Sequence, residues 1–167
     1  GSLHVSDAVC VTGDSGGGNL CLAVGMKALR QSELHMLPSG IFSMCPFIDG
    51  HSPMGYSQAA FDARDPLAWP SFATAADLRG MPRTTISVNE LDGLAAEGIA
   101  FHAVLEEAGV ETALRVVEGT QHATEVNNSH AVPDIAVETA RALADFCADG
   151  APLKRMDMPA FAQRPKL

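Results

Sequence analysis

A chain of 167 residues with 47% hydrophobic and 19% charged content can bury a core and is too apolar to be disordered. Its net charge of −9 argues against nucleic acid or an anionic membrane surface as the main partner. The four cysteines (Cys10, Cys21, Cys45, Cys147) have no C-x-x-C spacing and form no metal-ligand pattern with the six histidines, so free thiols in a reducing compartment and no metal are expected.

Gly1–Asp7 is short and polar, without the apolar segment of a secretory signal, and no apolar run is long enough to span a bilayer. A cytoplasmic location is the expectation. In chain order, Asp7–Thr12 reads as a strand that ends in a glycine-rich turn, Gly13-Asp14-Ser15-Gly16-Gly17-Gly18. Side chains at Gly13 and Gly17 would crowd neighbouring backbone in so sharp a turn. Asn19–Gln31 reads as a helix, with Leu20, Leu22, Val24, Met26, Ala28 and Leu29 as core candidates. Ser32–Ser39 is a loop. Gly40–Cys45 is a second strand, apolar without alternation, as a strand covered on both faces would be.

His51–Met81 is less regular. It holds Pro53, Pro66, Pro70, Tyr56, Trp69, Phe61 and Phe72, and reads as an excursion with one or two short helices rather than a linker. Arg83–Val88 is the third strand. Glu97–Ala108 is a helix with Ile99, Val104 and Leu105 facing the core, ended by Gly109. Glu111–Val117 is the fourth strand, Gly119–Asn128 a loop, and Pro133–Cys147 a helix with Ile135, Val137, Ala140, Leu143 and Phe146 apolar. Alternating strands and helices predict an α/β fold with a mostly parallel sheet flanked by helices. Residues 1–150 form the domain, and 151–167, with three prolines and four basic residues, a flexible tail.

Strand, glycine-tight turn and helix with a serine at the apex match the G-x-S-x-G nucleophile elbow of α/β-hydrolases. Such a serine is held strained with its hydroxyl exposed, and needs a base and a carboxylate that orients the base. In a parallel sheet these come from loops after the strand ends. After the third strand come Glu90 and Asp92; after the fourth comes His122. The order Ser, Asp/Glu, His is that of the α/β-hydrolases and excludes the trypsin-like proteases, where GDSGG comes last. Glu90 is the rival acid. His35 and His51 lie in the wrong connections, His102 falls on the solvent side of a helix, and His130 lies beyond the loop tip.

GDSGGGN at Gly13–Asn19 resembles the GDSAGGN elbow of the hormone-sensitive-lipase-like esterases. Ala76–Ala123 resembles that family's D-L-x-G-L-P-P, D-P-L-R-D-E-G and G-x-x-H-G segment, and the resemblance spans roughly Asp7 to Cys147. It implies the C-terminal portion of an α/β-hydrolase fold with Ser15 as nucleophile, Asp92 as acid, His122 as base and Gly16 as an oxyanion-hole donor. It implies hydrolysis of a small-molecule carboxylic ester without a cofactor. Gly93-Leu94-Ala95-Ala96 replaces the usual Pro-Leu-Arg-Asp, and Ala123 follows His122 where glycine is usual. The family's HGGG-type segment, a further source of oxyanion donors, has no counterpart upstream of Ser15. The expectation is therefore a partial hydrolase domain. The alternative is a non-catalytic fragment that binds a ligand or partner along an open strand edge, and homo-oligomerisation stays open. Phe47, Trp69 and Phe72 could line an acyl or alcohol pocket or simply pack the core.

Overall fold

Four short strands alternate with helices over residues 8–49 and 58–148, the parts of the chain that the computed structural model describes. The strands are β1 (Cys10–Asp14), β2 (Gly40–Met44), β3 (Thr84–Asn89) and β4 (Thr112–Val117). The helices are α1 (Gly16–Arg30), α2 (Gln58–Asp62), α3 (Ala75–Leu78), α4 (Ala95–Glu107), α5 (Thr124–Asn127) and α6 (Pro133–Ala148). Short 3₁₀ turns occupy Leu34–Met36 and Pro70–Phe72. His51, Pro53, Tyr56 and the tail 151–167 lie outside the described residues.

The sheet runs in the order β1-β2-β3-β4, every pair parallel, with Gly13 beside Ser43, Ser43 beside Ile86 and Ile86 beside Leu114. Parallel strands have both faces covered, and the side chains of β2 and β3 divide accordingly. Ile41, Ile86 and Val88 turn to one face, where Cys21, Leu22 and Met26 of α1 and Phe101 and Leu105 of α4 close the larger core. Phe42 and Met44 turn to the other, against Phe146 of α6. Phe42 and Phe146 meet edge to face with ring centroids 5.4 Å apart.

Two features of α1 depart from the sequence reading. The helix begins at Gly16, not Asn19, because the turn at Ser15 feeds directly into it. Leu20 and Val24 are exposed at 57% and 45% rather than buried. The buried stripe is Gly18, Cys21, Leu22, Gly25, Met26 and Ala28, so Leu20 and Val24 fall on the opposite side. In α4 the fully buried aromatic is Phe101, with Ile99 and Val104 only partly buried beside it. In α6 Phe146 is buried while Val137 and Ala140 face outward.

The excursion carries α2, α3 and the second 3₁₀ turn. Trp69 is fully buried and meets Phe47 edge to face at 5.5 Å, so this tryptophan packs core. All four cysteines are free thiols; Cys21 and Cys45 are buried, Cys10 is half-buried and Cys147 exposed. Among the described residues no helix is long and apolar enough to cross a membrane.

Candidate active site

The turn between β1 and α1 is set by a close backbone approach. A Cβ on Gly13 would stand 2.6 Å from the Gly17 carbonyl carbon and oxygen. At Gly17 itself a Cβ would meet nothing within 4 Å, contrary to expectation. The second steric requirement falls one residue later: a Cβ on Gly18 would lie 2.8 Å from the Met44 carbonyl oxygen, where α1 crosses the end of β2. Between these points Ser15 adopts φ 56 and ψ −118, a conformation that L-residues rarely enter.

Hydrogen bonds hold Ser15 there. Its N–H donates to the Met44 carbonyl at 3.0 Å, and its carbonyl accepts from Asn19 and Phe47. Asn19 is fully buried and its amide donates to the carbonyls of Phe47 and Ala68, both at 2.9 Å. The turn is thus clamped to β2, to the loop after it and to the excursion. Gly16 is the first residue of α1, and the first N–H groups of a helix have no intrahelical acceptor. They form the positive end of the helix dipole.

The acid and imidazole meet. His122 Nδ1 stands 2.7 Å from Asp92 Oδ2. The Asp92 side chain is 4% exposed and that of His122 is 38%, so a buried carboxylate holds an imidazole that reaches solvent. Asp92 is itself fixed: its other oxygen accepts the Leu94 N–H at 3.0 Å, and its own N–H donates to the Asn89 carbonyl. Glu90 is occupied elsewhere, accepting the Gly119 N–H at 2.8 Å. His102 proves half-buried rather than solvent-facing, and burial lowers its pKa, with Glu106 opposing.

The thiol of Cys45, which the sequence reading left unassigned, lies among these groups. Cys45 follows β2 directly, at φ 33. Burial pushes its pKa up to about 11; the Ser15 backbone amide pulls it back, and the carboxylates of Asp92, Glu125 and Asp14 add to the rise. Cys45, Asp92 and His122 bring one donor atom each to within 4.8 Å of one another, the set in which a metal could sit and which no spacing in the sequence reveals. The 2.7 Å Asp92–His122 contact is that of a hydrogen bond. Two donors on one tetrahedral zinc stand wider apart, at roughly 3.4 Å.

Beneath His122 the loop is held by polar side chains. Asn89, Thr120 and Glu125 are buried, and the Asn89 amide donates to both of the others. Ala123 takes the left-handed conformation at φ 50, one that glycine adopts at lower cost. Away from this site, a cavity of about 570 Å³ lies between the excursion and α4, lined by Phe61, Arg64, Phe72, Glu97, Phe101 and Val104, among others. Phe72 therefore faces that cavity, with the Arg64 guanidinium 4.2 Å above its ring. Glu97 accepts the Ile48 and Asp49 N–H groups, and burial raises its pKa while those bonds lower it.

A family model described as "alpha/beta hydrolase fold" matches residues 51–126, a range that includes Asp92 and His122. No curated protein sequence matches the chain. Among solved structures, the esterase Est22 is 40% identical with a TM-score of 0.77, over 81% of this chain and 46% of that one. Brefeldin A esterase, described as a bacterial homologue of human hormone-sensitive lipase, is 33% identical with a TM-score of 0.78, over 86% of this chain and 48% of that one. The esterase rPPE shares the fold at 23% identity, TM-score 0.66, over 78% of this chain and 48% of that one. The chain thus spans about half the length of the structures it matches. With this sheet and these relatives, the chain belongs to the α/β-hydrolases of the hormone-sensitive-lipase-like esterase family.

Proposed function

We propose that the chain supplies the nucleophile, base and acid of a carboxylic ester hydrolase that works through an acyl-serine intermediate. The observation that carries this reading is the 2.7 Å contact between the buried Asp92 carboxylate and the half-exposed His122 imidazole, at the same sheet end as the strained Ser15 turn. In the proposed reaction Ser15 Oγ attacks the acyl carbon while His122 Nε2 takes its proton. Asp92, bonded to Nδ1, orients the ring and stabilises the imidazolium. The Gly16 N–H, at the start of α1, donates to the oxyanion. Collapse expels the alkoxide, which leaves with the proton from His122. Water, deprotonated by the same imidazole, then releases the acid. Each step moves protons between groups of this chain and the substrate, and none calls for a metal or an organic cofactor.

Small aryl esters are the substrates to try first, since one of the similar structures is Est22 with p-nitrophenol. Turnover of p-nitrophenyl acetate and butyrate by the parent, with Ser15→Ala lower by about 10³-fold or more, is the expected result. Hydrolysis that Ser15→Ala leaves unchanged overturns the reading. A second reading, a non-catalytic half that binds a ligand or a partner, draws on one observation. Among the described residues β1 pairs on one side only, with β2, and leaves an edge open to another strand. A folded parent without any turnover favours that reading.

A further inference from the structure

One residue touches both loops of the proposed triad. Asn89 is the last residue of β3 and is 1% exposed. Its side-chain amide donates to Thr120 Oγ1 at 2.8 Å and to Glu125 Oε2 at 2.7 Å. Its side-chain oxygen accepts the Ala123 N–H at 3.2 Å. These partners lie two residues before His122, one after it and three after it. Its backbone carbonyl accepts the Asp92 N–H at 3.1 Å. A single side chain thus brackets the base while its own backbone pins the acid. The bonding is also directional: a carboxylate on one side and a backbone N–H on the other allow the amide only one orientation.

We infer that Asn89 is a positioning residue, which sets the His122 loop so that Nδ1 meets Asp92; this rests on the proposed role of His122. Ala123 needs such help. It is fully buried in the left-handed conformation, which costs a non-glycine residue, and the Asn89 oxygen holds its N–H in place. Removing the amide frees the loop to relax toward an ordinary backbone and carries the imidazole away from the carboxylate. Misplacement of a reacting group by about 1 Å can cost on the order of 100-fold in rate.

The test is Asn89→Asp, which keeps the shape but sets a carboxylate against Glu125 and removes both donors. Two readouts are taken at a temperature where the variant is folded: amide hydrogen exchange across residues 119–126, and kcat and KM for p-nitrophenyl butyrate. Expected are faster exchange confined to that loop and a kcat lower by about 10- to 100-fold with KM within about twofold. Adding Glu125→Gln, whose amide can donate to the new carboxylate, is expected to recover part of both. Should Asn89→Asp not fold, Thr120→Val removes one of the three bonds from the loop side and is expected to give a smaller loss in the same direction. Loop exchange and kcat both at the parent's level overturn the inference, as does a change in one without the other. If the parent shows no turnover, the proposed function fails on its own, and the exchange measurement still decides whether Asn89 holds the loop.

Discussion

Ser15 sits at φ 56 and ψ −118 because its neighbours leave it no other course. Conformations of this kind cost about 1–3 kcal/mol and persist only where the surroundings over-determine them. Here the bonds to Met44, Asn19 and Phe47 and the contact of Gly13 with Gly17 do so. The glycines of the turn are therefore unequal. Gly13→Ala drives a Cβ into the Gly17 backbone, which cannot move without unwinding α1, and is expected to cost about 2–3 kcal/mol. Gly16→Ala points its methyl into open space on a helix and is expected to leave stability unchanged or raise it by about 0.5 kcal/mol. Urea midpoints of the two variants check both signs. The catalytic roles of Ser15, Asp92 and His122 remain the proposal, but the meeting of Asp92 with His122 was foreseeable from the sequence because chain order and strand ends bring those two loops together. Cys45, Asn89 and Glu125 were not, because nothing but the register of β2 and β3 and the path of the His122 loop brings them to the site. Gly17 was misjudged for a related reason: which glycine meets backbone depends on how α1 crosses β2.

At the scale of the element, α1 is the instructive case. Its residues are apolar almost all round, so sequence periodicity could not choose the buried side, and the reading included Leu20 and Val24. The sheet chooses it, since Gly18 and Gly25 let the helix lie close to β2 and Met81. The helix start was read late because three glycines are poor helix formers, a preference that the sharp turn and the packing override. The consequence is measurable. Leu22→Ala, at a fully buried position, is expected to cost about 2–5 kcal/mol, and Leu20→Ala, at an exposed one, less than about 0.5 kcal/mol. Chemical denaturation of the pair separates the observed packing from the one expected from the sequence. The second, third and fourth strands, by contrast, were readable within one residue at either end, whereas β1 starts three residues later than read and ends two later, because the glycine turn that closes it does not break its pairing with β2.

For the whole molecule, burying thiols between sheet and helices ties stability to alkaline pH. Burial is the main cause that pushes Cys21 and Cys45 from 9.0 up to about 11. Between those values the folded chain keeps protons that the unfolded chain has released, so stability falls as pH rises from about 9 to 11 and is unaffected below. The loss is on the order of 2 kcal/mol per thiol. Urea midpoints taken below and above pH 9 should show it, and Cys21→Ala should remove about half. The fold class and its alternation followed from the sequence, whereas the joining of two cores through one sheet, and the cavity between the excursion and α4, depend on contacts between distant segments. The account turns on Ser15 being a nucleophile activated by His122 and Asp92. A fluorophosphonate probe, which captures an activated serine whatever ester the protein prefers, tests this most directly when followed by mass spectrometry of the intact chain and its peptides. One adduct, on Ser15, abolished by Ser15→Ala and strongly slowed by His122→Ala, is the predicted result. No adduct on the folded chain, or one on another residue that persists in Ser15→Ala, contradicts it.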